Sequence, residues 1–416
     1  MTSTTGAPRV SATGAIRAGA RGTVARAAAA VLLVFAAGCA GQPASGTGPE
    51  AGESTGPEAG EGRGPEAAQG WGPWAARPVE GEQTYGCGVT EELLLCPTSA
   101  GGLVARSAGT GKVSWRVEAG EEGGETQSFA KLVVADGLAF VAGGRTVRAV
   151  DLRSRGIAWT QQLPEGRQFG SGLDAAHGIV YASTDNTSGP GLVAAYRAAS
   201  GTALWQRELE GAELVAIGTR LYTAGSRAVA RDGETGDTVA TSPHDCQALI
   251  TGGSHLICNG AFSASDHFPP VTLTDPETLE AVRTLWEPGS EPTYGGGTVS
   301  GAGVLVLRQC YWEGDCAHWN GIDVRTGDHL WSTADSPWQS GDHAVIVEDR
   351  VVFPVSGRRI ASVDLRQGPK ATGAAGPRYS PKFSEAKGDV TLLAYGNHIV
   401  LLSGTEPVGI RSIPVP

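Results

Sequence analysis

The chain has 416 residues, of which 62 are glycine, and charged residues make up 18% of it, below the quarter that is usual in a globular domain. Acidic side chains outnumber basic ones by 43 to 32, which gives a formal charge of −11. A surface this acidic repels nucleic acid and anionic lipid headgroups, so the composition excludes nucleic-acid partners and membrane binding through charge.

Residues 1–38 have the layout of a secretion signal. Four arginines and no acidic residue lead into the apolar stretch AAAAVLLVFAAGC at 27–39. The stretch is too short to span a bilayer, which takes ~20 residues. Removal of residues 1–38 would leave 28 basic and 43 acidic side chains, a formal charge of −15.

The apolar stretch ends in Ala36, Ala37, Gly38 and Cys39, which resemble the lipobox of bacterial lipoproteins. The resemblance implies that Cys39 carries acyl chains such as palmitate and becomes the new N-terminus, on the outer face of the cytoplasmic membrane. Two acyl chains are enough for stable anchoring. Ala36 replaces the usual leucine of the lipobox. The alternative is a plain signal peptide, or an uncleaved anchor, with an incidental cysteine.

Residues 39–70 are predicted to be a lipidated, disordered linker. The tetrapeptide GPEA recurs at 48–51, 56–59 and 64–67, and the segment has no large apolar residue. Such a segment cannot bury enough surface to offset its chain entropy. It would reach roughly 30 Å on average and lift a folded body at 71–416 off the membrane.

From residue 71 onward one nine-residue pattern recurs, as in DVRTGDHLW at 323–331 and RAASGTALW at 197–205. Its first positions, the anchors, are Ser107, Asp151, Arg197, Asp232, Asp275, Asp323 and Asp364. Two alternating apolar runs joined by a polar turn precede the anchor, as at 131–144 and 343–357, and predict two strands. A third strand carries the anchor and a fourth follows the turn, so each repeat predicts four antiparallel strands.

The nine residues themselves predict a tight hairpin corner. An aspartate at the anchor accepts hydrogen bonds from backbone N–H groups of the turn. A glycine can take the positive φ that other residues avoid, and glycines stand at 111, 156, 201, 236 and 327. The side chain two positions before the anchor is small: Ala105, Ala149, Ala195, Ala230, Gly321 and Ser362.

A tryptophan follows the corner in four repeats: Trp115, Trp159, Trp205 and Trp331. We expect each indole to lie over the small residue of an adjacent repeat and to act as a structural staple. The pattern is degraded elsewhere. Ala240 stands where a tryptophan is expected, Leu273 occupies a small position with Trp286 out of register, and the repeat of Asp364 has no tryptophan.

This repeat resembles that of the pyrroloquinoline-quinone-like β-propellers, over about residues 71–416. The resemblance implies an all-β propeller of four-stranded antiparallel blades. Seven anchors are present, and 398–413 repeats the second and third strands once more, with Gly409 at the small position and Arg411 at the anchor. The stretch Trp74–Gly81 is similar to Trp205–Gly211 and would supply the missing outer strand. We therefore predict eight blades, closed by the N-terminal strand, with Trp74 as a fifth staple.

Six cysteines besides Cys39 form an even set, which indicates disulfides in an exported protein. The repeat register favours disulfides between neighbouring cysteines: Cys87 with Cys96, Cys246 with Cys258, and Cys310 with Cys316. A metal site is the alternative, but the sequence has neither a CxxC motif nor clustered histidines.

Catalysis is the first functional hypothesis, because the family includes quinone-dependent dehydrogenases. The resemblance implies that such an enzyme would have an adjacent Cys-Cys pair, a calcium site and a catalytic aspartate. This sequence has no Cys-Cys pair, and Asp185-Asn186 and Asp266-His267 are isolated in predicted loops. We therefore expect no catalytic, cofactor-binding or metal-binding residues and no cofactor.

A binding module is the second hypothesis, since propellers present loops of variable length. The longest predicted loops are 183–191, 259–270 and 309–321. The last one holds Tyr311, Trp312, His318 and Trp319, which would either form a recognition surface or cover the edge of their own blade. We expect a lipid-anchored extracytoplasmic monomer that binds an unknown protein or cell-envelope ligand. Similar propellers serve as outer-membrane assembly scaffolds and as sensor domains of membrane kinases, which are further alternatives.

Overall fold

In the computed structural model, the described part of the chain consists of β-strands and one short 3-10 helix, Gly373–Ala375. The structure describes residues 71–118, 131–163, 167–184, 191–209, 213–259, 270–287, 296–309, 318–334, 343–355, 359–383, 390–403 and 409–416. No helix among these residues has the length and hydropathy that crossing a bilayer requires.

The strands are numbered along the chain and form eight sheets of four, here called blades 1–8. The first strand is β1 (Trp74–Ala76), which belongs to blade 8. Blade 1 consists of β2 (Gly88–Val89), β3 (Leu93–Pro97), β4 (Leu103–Ser107) and β5 (Val113–Val117), and blade 2 of β6 (Lys131–Ala135), β7 (Leu138–Gly143), β8 (Thr146–Asp151) and β9 (Gly156–Gln162). Blade 3 consists of β10 (Phe169–Ala176), β11 (Ile179–Thr184), β12 (Gly191–Arg197) and β13 (Ala203–Leu209), and blade 4 of β14 (Glu213–Ile217), β15 (Arg220–Ala224), β16 (Arg227–Asp232) and β17 (Thr238–Asp245). Blade 5 consists of β18 (Ala248–Gly252), β19 (His255–Asn259), β20 (Val271–Thr274) and β21 (Ala281–Trp286), and blade 6 of β22 (Gly297–Val299), β23 (Val304–Gln309), β24 (His318–Asp323) and β25 (His329–Ser332). Blade 7 consists of β26 (Val345–Val347), β27 (Arg350–Val355), β28 (Arg359–Asp364) and β29 (Arg378–Tyr379), and blade 8 of β30 (Val390–Tyr395), β31 (His398–Ser403) and β32 (Gly409–Pro414) together with β1.

The eight blades form a closed ring, an all-β eight-bladed propeller. Within each blade the strands are antiparallel and follow one another from the inside outward. The first strand of each blade contacts the first strand of the next, all the way round to β30 and β2. The turns between first and second strands and the corners between third and fourth strands share one end of the ring, here called the corner face. The prediction of eight four-stranded blades is confirmed.

Blade 8 is assembled from both ends of the described chain, as the sequence predicted. Strand β1 pairs with β32, and Trp74 lies opposite Ser412. The predicted register of this blade is wrong by three residues. Pro414 pairs with the first residue of β31, His398, as Asp364 pairs with Arg350 in blade 7. Pro414 is therefore the anchor, and Ser412 is the small residue, in place of Arg411 and Gly409.

The core lies between the blades, because each sheet is covered on both faces. In β7, Leu138 and Phe140 pack against residues of blade 3 such as Val180. The alternate residues Ala139 and Val141 pack against blade 1. Successive side chains of a strand point to opposite faces of its sheet, so the apolar runs that looked continuous in the sequence serve two junctions at once.

Two predicted disulfides are confirmed. Cys87 is joined to Cys96 across the first hairpin of blade 1, and Cys246 is joined to Cys258 in blade 5. Both bonds link the segment of a first strand to its neighbouring second strand. The predicted pair Cys310 and Cys316 lies outside the described residues, as does Cys39.

A buried ion pair, which sequence reasoning missed, fixes the chain that follows β1 to blade 1. Arg106 donates through Nε to Glu82 Oε1 at 2.7 Å, and the two side chains are 4% and 0% exposed. Its Nη1 and Nη2 atoms donate to the carbonyls of Gly111 and Arg77, both at 2.9 Å. Glu82 also accepts from the N–H of Val79. The charges are thus paired and hydrogen-bonded, as buried charges must be.

Glu82→Ala should destabilise the propeller by roughly 3–5 kcal/mol, because it leaves the Arg106 guanidinium buried without its partner. The free energy of unfolding from denaturant titration measures the effect. Glu118→Ala, which removes an exposed partner of Arg116, is the control and should change stability by less than about 0.5 kcal/mol. Equal effects of the two variants would contradict the ion pair's role in closing the ring.

Candidate binding grooves at the blade junctions

The hairpin corners are capped by their anchor aspartates. Asp151 accepts hydrogen bonds from the N–H groups of Arg153 and Ser154 at 3.0 and 2.6 Å. The same two contacts recur at Asp232, Asp275, Asp323 and Asp364. Hydrogen bonds from the backbone stabilise the ionised form. They lower the pKa of Asp151, chiefly through Ser154, and that of Asp275, chiefly through Thr278.

The left-handed residue of each corner is the fourth after the anchor. It is a glycine with φ between 64° and 82° at five corners: Gly111, Gly201, Gly236, Gly327 and Gly368. The sequence-based choice of Gly156 in blade 2 is wrong, because Arg155 takes this position with φ 58°. In blade 5 the position belongs to Leu279, with φ 59°. A side chain in this conformation costs about 1–2 kcal/mol.

Four tryptophans join consecutive blades by a common contact. Each indole Nε1 donates a hydrogen bond to the carbonyl of the residue that follows the anchor in the next blade. The pairs are Trp74 with Ala108, Trp159 with Ala198, Trp205 with Gly233 and Trp331 with Leu365, at 2.6–2.8 Å. The contact satisfies the polar edge of a ring whose body is buried.

The same four rings lie directly on the left-handed glycine of the next corner. These glycines are Gly111, Gly201, Gly236 and Gly368, and a Cβ at any of them would lie within 3.0 Å of the ring. The small residue two before the anchor has a different place from the expected one. Ala195, for example, pairs with Trp205 in the same blade. The indole therefore spans from a small residue of its own blade to a glycine of the next.

Trp115 does not make this contact, although the sequence grouped it with the others. The next corner carries Arg155 where the stapled corners carry glycine. The side chain of Arg155 prevents the Trp115 indole from lying directly on the backbone of that corner. Trp115 is half-buried, and no hydrogen bond joins its Nε1 to the carbonyl of Leu152. The junction of blades 1 and 2 is thus unstapled.

At the junction of blades 4 and 5 a small residue occupies the tryptophan position and a large one occupies the glycine position. Ala240 lies opposite Ala230, in the tryptophan register. Leu279 occupies the left-handed position of the next corner, is fully buried, and packs with Ala230 while Ala240 borders the same cluster. The leucine fills from one side the space that an indole would fill from the other.

The remaining two junctions use other side chains. Arg283 holds the tryptophan register in blade 5, lies against Gly327 and donates to the carbonyl of Thr326 at 3.0 Å. Arg378 holds it in blade 7, opposite Ser362. Blade 8 has no hairpin corner to receive a staple there, because its third and fourth strands come from opposite ends of the described chain.

Three surface grooves lie at junctions without a tryptophan staple. Groove 1–2 has a volume of about 480 Å³ and is lined by Thr90, Glu91, Glu92, Leu93, Asp136, Gly137, Asp151, Leu152 and Arg153. Groove 4–5 has about 440 Å³ and is lined by Pro243, His244, Asp245, Pro270, Thr272, Ala281 and Thr284. Groove 7–8 has about 430 Å³ and is lined by Val347, Glu348, Asp349, Arg350, Asp364, Ala374, Ala375, Arg378, Asn397, Val415 and Pro416. Each is large enough to hold side chains of a partner.

The inner strands carry a short run of charged groups around the ring axis. Asp174 Oδ2 accepts from the N–H of Ala216 at 2.8 Å, and Glu213 Oε2 accepts from that of Leu249 at 3.0 Å. Each carboxylate thus satisfies an edge N–H of the following blade. Burial raises the pKa of Asp174 and lowers the pKa of Lys131, against the attraction between them. Their contacts have a structural role, because they join blades 3, 4 and 5.

The aromatic loop at 309–321, expected either to form a recognition surface or to cover its own blade, is only partly described. Trp319 is 3% exposed and belongs to the core cluster of blades 6 and 7, so of the two alternatives it packs against its blade and forms no recognition surface. His318 begins β24. Tyr311 and Trp312 lie outside the described residues, as do Asp185-Asn186 and Asp266-His267. The described residues contain no group of three or more His, Cys, Asp or Glu side chains that could hold a metal ion.

Comparison with known sequences gives one family. The model of the family described as outer membrane protein assembly factor BamB matches residues 64–242 and 189–390, most of the propeller. No curated protein sequence matches this chain significantly. The resemblance to quinone-type propeller repeats, first read from the sequence, is confirmed.

Solved structures share the fold at low sequence identity. BamB from Moraxella catarrhalis is 14% identical, with a TM-score of 0.55 over 81% of this chain and 97% of that chain. The quinohemoprotein alcohol dehydrogenase ADHIIG from Pseudomonas putida HK5 is 12% identical, with a TM-score of 0.55 over 82% of this chain and 76% of that chain. The computationally designed protein Ika8 is 12% identical, with a TM-score of 0.56 over 79% and 95%. Similarities this distant show the fold alone.

Trp205→Ala should destabilise the protein by roughly 3–5 kcal/mol, because it opens a cavity and leaves the carbonyl of Gly233 without its donor. Trp115→Ala is the matched control and should cost about 1 kcal/mol, since that indole is half-buried and bonds no carbonyl of the next corner. Denaturant unfolding measures both. A loss at Trp115 as large as that at Trp205 would contradict the distinction between stapled and unstapled junctions.

Ala240→Trp and Leu279→Gly should each destabilise the protein, the first by overpacking and the second by a cavity. Combined in one chain, they recreate the stapled junction, so the double variant should lose less stability than the sum of the single losses, by roughly 0.5–3 kcal/mol. A double-mutant cycle on the free energy of unfolding measures this coupling. Strict additivity would mean that the two residues do not share one site.

Proposed function

This chain belongs to the family of the outer membrane protein assembly factor BamB, and from that premise we propose that it is a lipid-anchored, extracytoplasmic scaffold that binds a protein partner. The observation that carries the proposal is the set of grooves at the unstapled junctions. A tryptophan staple contributes several kcal/mol, so a junction without one gives up stability. Groove 1–2 and groove 4–5 are accessible, partly polar clefts at two such junctions.

The proposed address rests on the N-terminal segments. Residues 1–38 would be the export signal, residues 39–70 the lipidated linker and residues 71–416 the propeller. Disulfides form and persist in oxidising compartments, and the bonds Cys87–Cys96 and Cys246–Cys258 support export. The first described residue, Trp71, lies at the corner face, where its Nε1 donates to the carbonyl of Thr90. Thr90 also lines groove 1–2, so a partner in that groove would lie beside Trp71.

The charge of the corner face favours a basic partner. Groove 1–2 carries four carboxylates, of Glu91, Glu92, Asp136 and Asp151, against the single cation of Arg153. Opposite charges across an interface raise the rate of encounter and exclude wrong partners. The same charge would hold the propeller away from an anionic membrane, so that the lipid alone provides the anchor.

A quinone-dependent dehydrogenase is the rival function, because ADHIIG has the same fold. The sequence does not favour it, since no two cysteines are adjacent. Titration of the purified protein with pyrroloquinoline quinone and calcium separates the two functions. We expect no saturable binding, and a tight complex would contradict the scaffold proposal.

The anchor is tested in the producing cells with Cys39→Ala. We expect the native protein to fractionate with membranes and to incorporate labelled palmitate, and the variant to do neither.

A photo-cross-linking amino acid placed at Glu92, with the stapled-corner residue Thr235 as the control position, then tests the partner. One discrete adduct at residue 92 and none at residue 235 is the expected result. Equal labelling at both positions, or at neither, would contradict binding through the unstapled junctions.

A further inference from the structure

The outer strand of blade 4 is unusually suited to pairing with another chain. With eight residues, β17 (Thr238–Asp245) is as long as any strand described, and within the described sheets it pairs only with β16. The outer edge of such a strand presents unpaired N–H and C=O groups, which proteins usually protect with charged side chains or proline.

Protection of this kind is weak on β17. From Thr238 to His244 the strand has no Asp, Glu, Lys or Arg, and Val239 is 49% exposed. Other outer strands carry charges, such as Arg116 in β5 and Arg207 in β13. The shorter outer strands β1 and β25 and the longer β9 also lack charges, and of these three only β9 has a large exposed apolar side chain, Ile157 at 43%.

The surroundings separate β17 from β9. Groove 4–5 is lined by the last residues of β17, Pro243, His244 and Asp245, and by Ala281 and Thr284 of β21. Strand β21 also carries the most exposed large apolar side chain of the described residues, Val282 at 58%. Next to β9 the junction is closed by the Trp159 staple. At the corner of this junction Leu279 takes the place of the indole, and groove 4–5 lies toward the other end of β17.

The charges at the ends of β17 define its occupant. Asp237 and Asp245 are exposed and flank an uncharged centre. Two copies of this strand, paired antiparallel about a two-fold axis, would bring Asp237 of one copy against Asp245 of the other, which is unfavourable. Pro243 has no N–H, so pairing can extend over Thr238–Ser242, and groove 4–5 can take the side chain beyond.

We propose that the outer edge of β17 and groove 4–5 together bind an extended segment of a partner protein, with uncharged β-branched residues at its centre and basic residues at its ends. The segment would add a fifth strand to blade 4, the mode in which main-chain hydrogen bonds give affinity and pockets give specificity. This inference rests on the binding function proposed above and names its surface.

The test uses a fluorescein-labelled heptapeptide, KTVTVTK, and the purified protein, with binding followed by fluorescence anisotropy. We expect saturable binding that is weakened at least tenfold by Val239→Lys combined with Thr241→Lys. Both substitutions are at exposed positions, and thermal unfolding verifies that the fold is kept. Ile157→Lys on β9 is the matched control and should leave binding unchanged.

Two N-methylated peptides test the hydrogen bonds directly, free of any charge effect. Alternate amides of an added strand face blade 4, so methylation of one alternating set should abolish binding and methylation of the other should not. Equal binding of the two peptides, no binding of the parent peptide, or equal loss from Ile157→Lys would overturn the proposal.

Photo-cross-linking at Thr241 in cells separates this inference from the proposed function. An adduct at residue 241 whose partner peptide is uncharged at its centre and basic at its ends would support the docking edge. Adducts at Glu92 alone would overturn the inference and leave the scaffold function standing. No adduct at either position would contradict both.

Discussion

The contact on which the ring depends is an indole laid over a glycine of the next blade. It couples two residues that stand in different repeats, a tryptophan on an outer strand and a left-handed glycine at the following corner. The glycine is needed twice, for its positive φ and because a Cβ would overlap the ring. A nearby carbonyl then receives the indole N–H, so one side chain fixes both the spacing and the register of adjacent sheets.

The contact needs one residue in the tryptophan position and one in the glycine position of the next blade. A substitution at one position therefore changes which residue fits at the other. Ala240 is matched by Leu279, which fills the space from the opposite side. Arg283 lays its aliphatic Cγ and Cδ atoms on Gly327 in place of an indole, and its guanidinium donates to the carbonyl of Thr326. At blade 2 the corner carries Arg155 in place of glycine, and Trp115 remains at the edge of the cluster between blades 1 and 2 without the indole–carbonyl hydrogen bond. These junctions differ in the side chains that close them, and three surface grooves lie at junctions without a tryptophan staple.

Closure of the ring imposes a second constraint. Blade 8 takes its outer strand from the other end of the described chain, so Trp74 can staple blade 1 while no hairpin corner is available to receive a staple from blade 7. The buried pair of Glu82 and Arg106 and the disulfide of Cys87 and Cys96 both lie near this closure. Polar and covalent links thus supplement packing where the chain is discontinuous.

The fold was predictable from the sequence because its signals are local. Alternating apolar runs, capped corners and the period of the anchors gave the blade number, the closing strand and two disulfides. The partner of each indole was not predictable, because it lies one repeat away and no local pattern names it. The register of blade 8 failed for a related reason, since Pro414 is neither an aspartate nor followed by a glycine. The place of Trp319 stayed open between a surface and its own blade, because a loop-flanking aromatic can be assigned only once its strand is positioned.

Corners that receive an indole should be held more firmly than corners that do not. Hydrogen–deuterium exchange of the native protein, read by mass spectrometry, measures this directly. We predict slower exchange in the corners that receive an indole, at 197–202, 232–237 and 364–368, than in the unstapled corner at 151–156. Equal protection of all four corners would contradict the claim that the tryptophan staples decide where this ring opens.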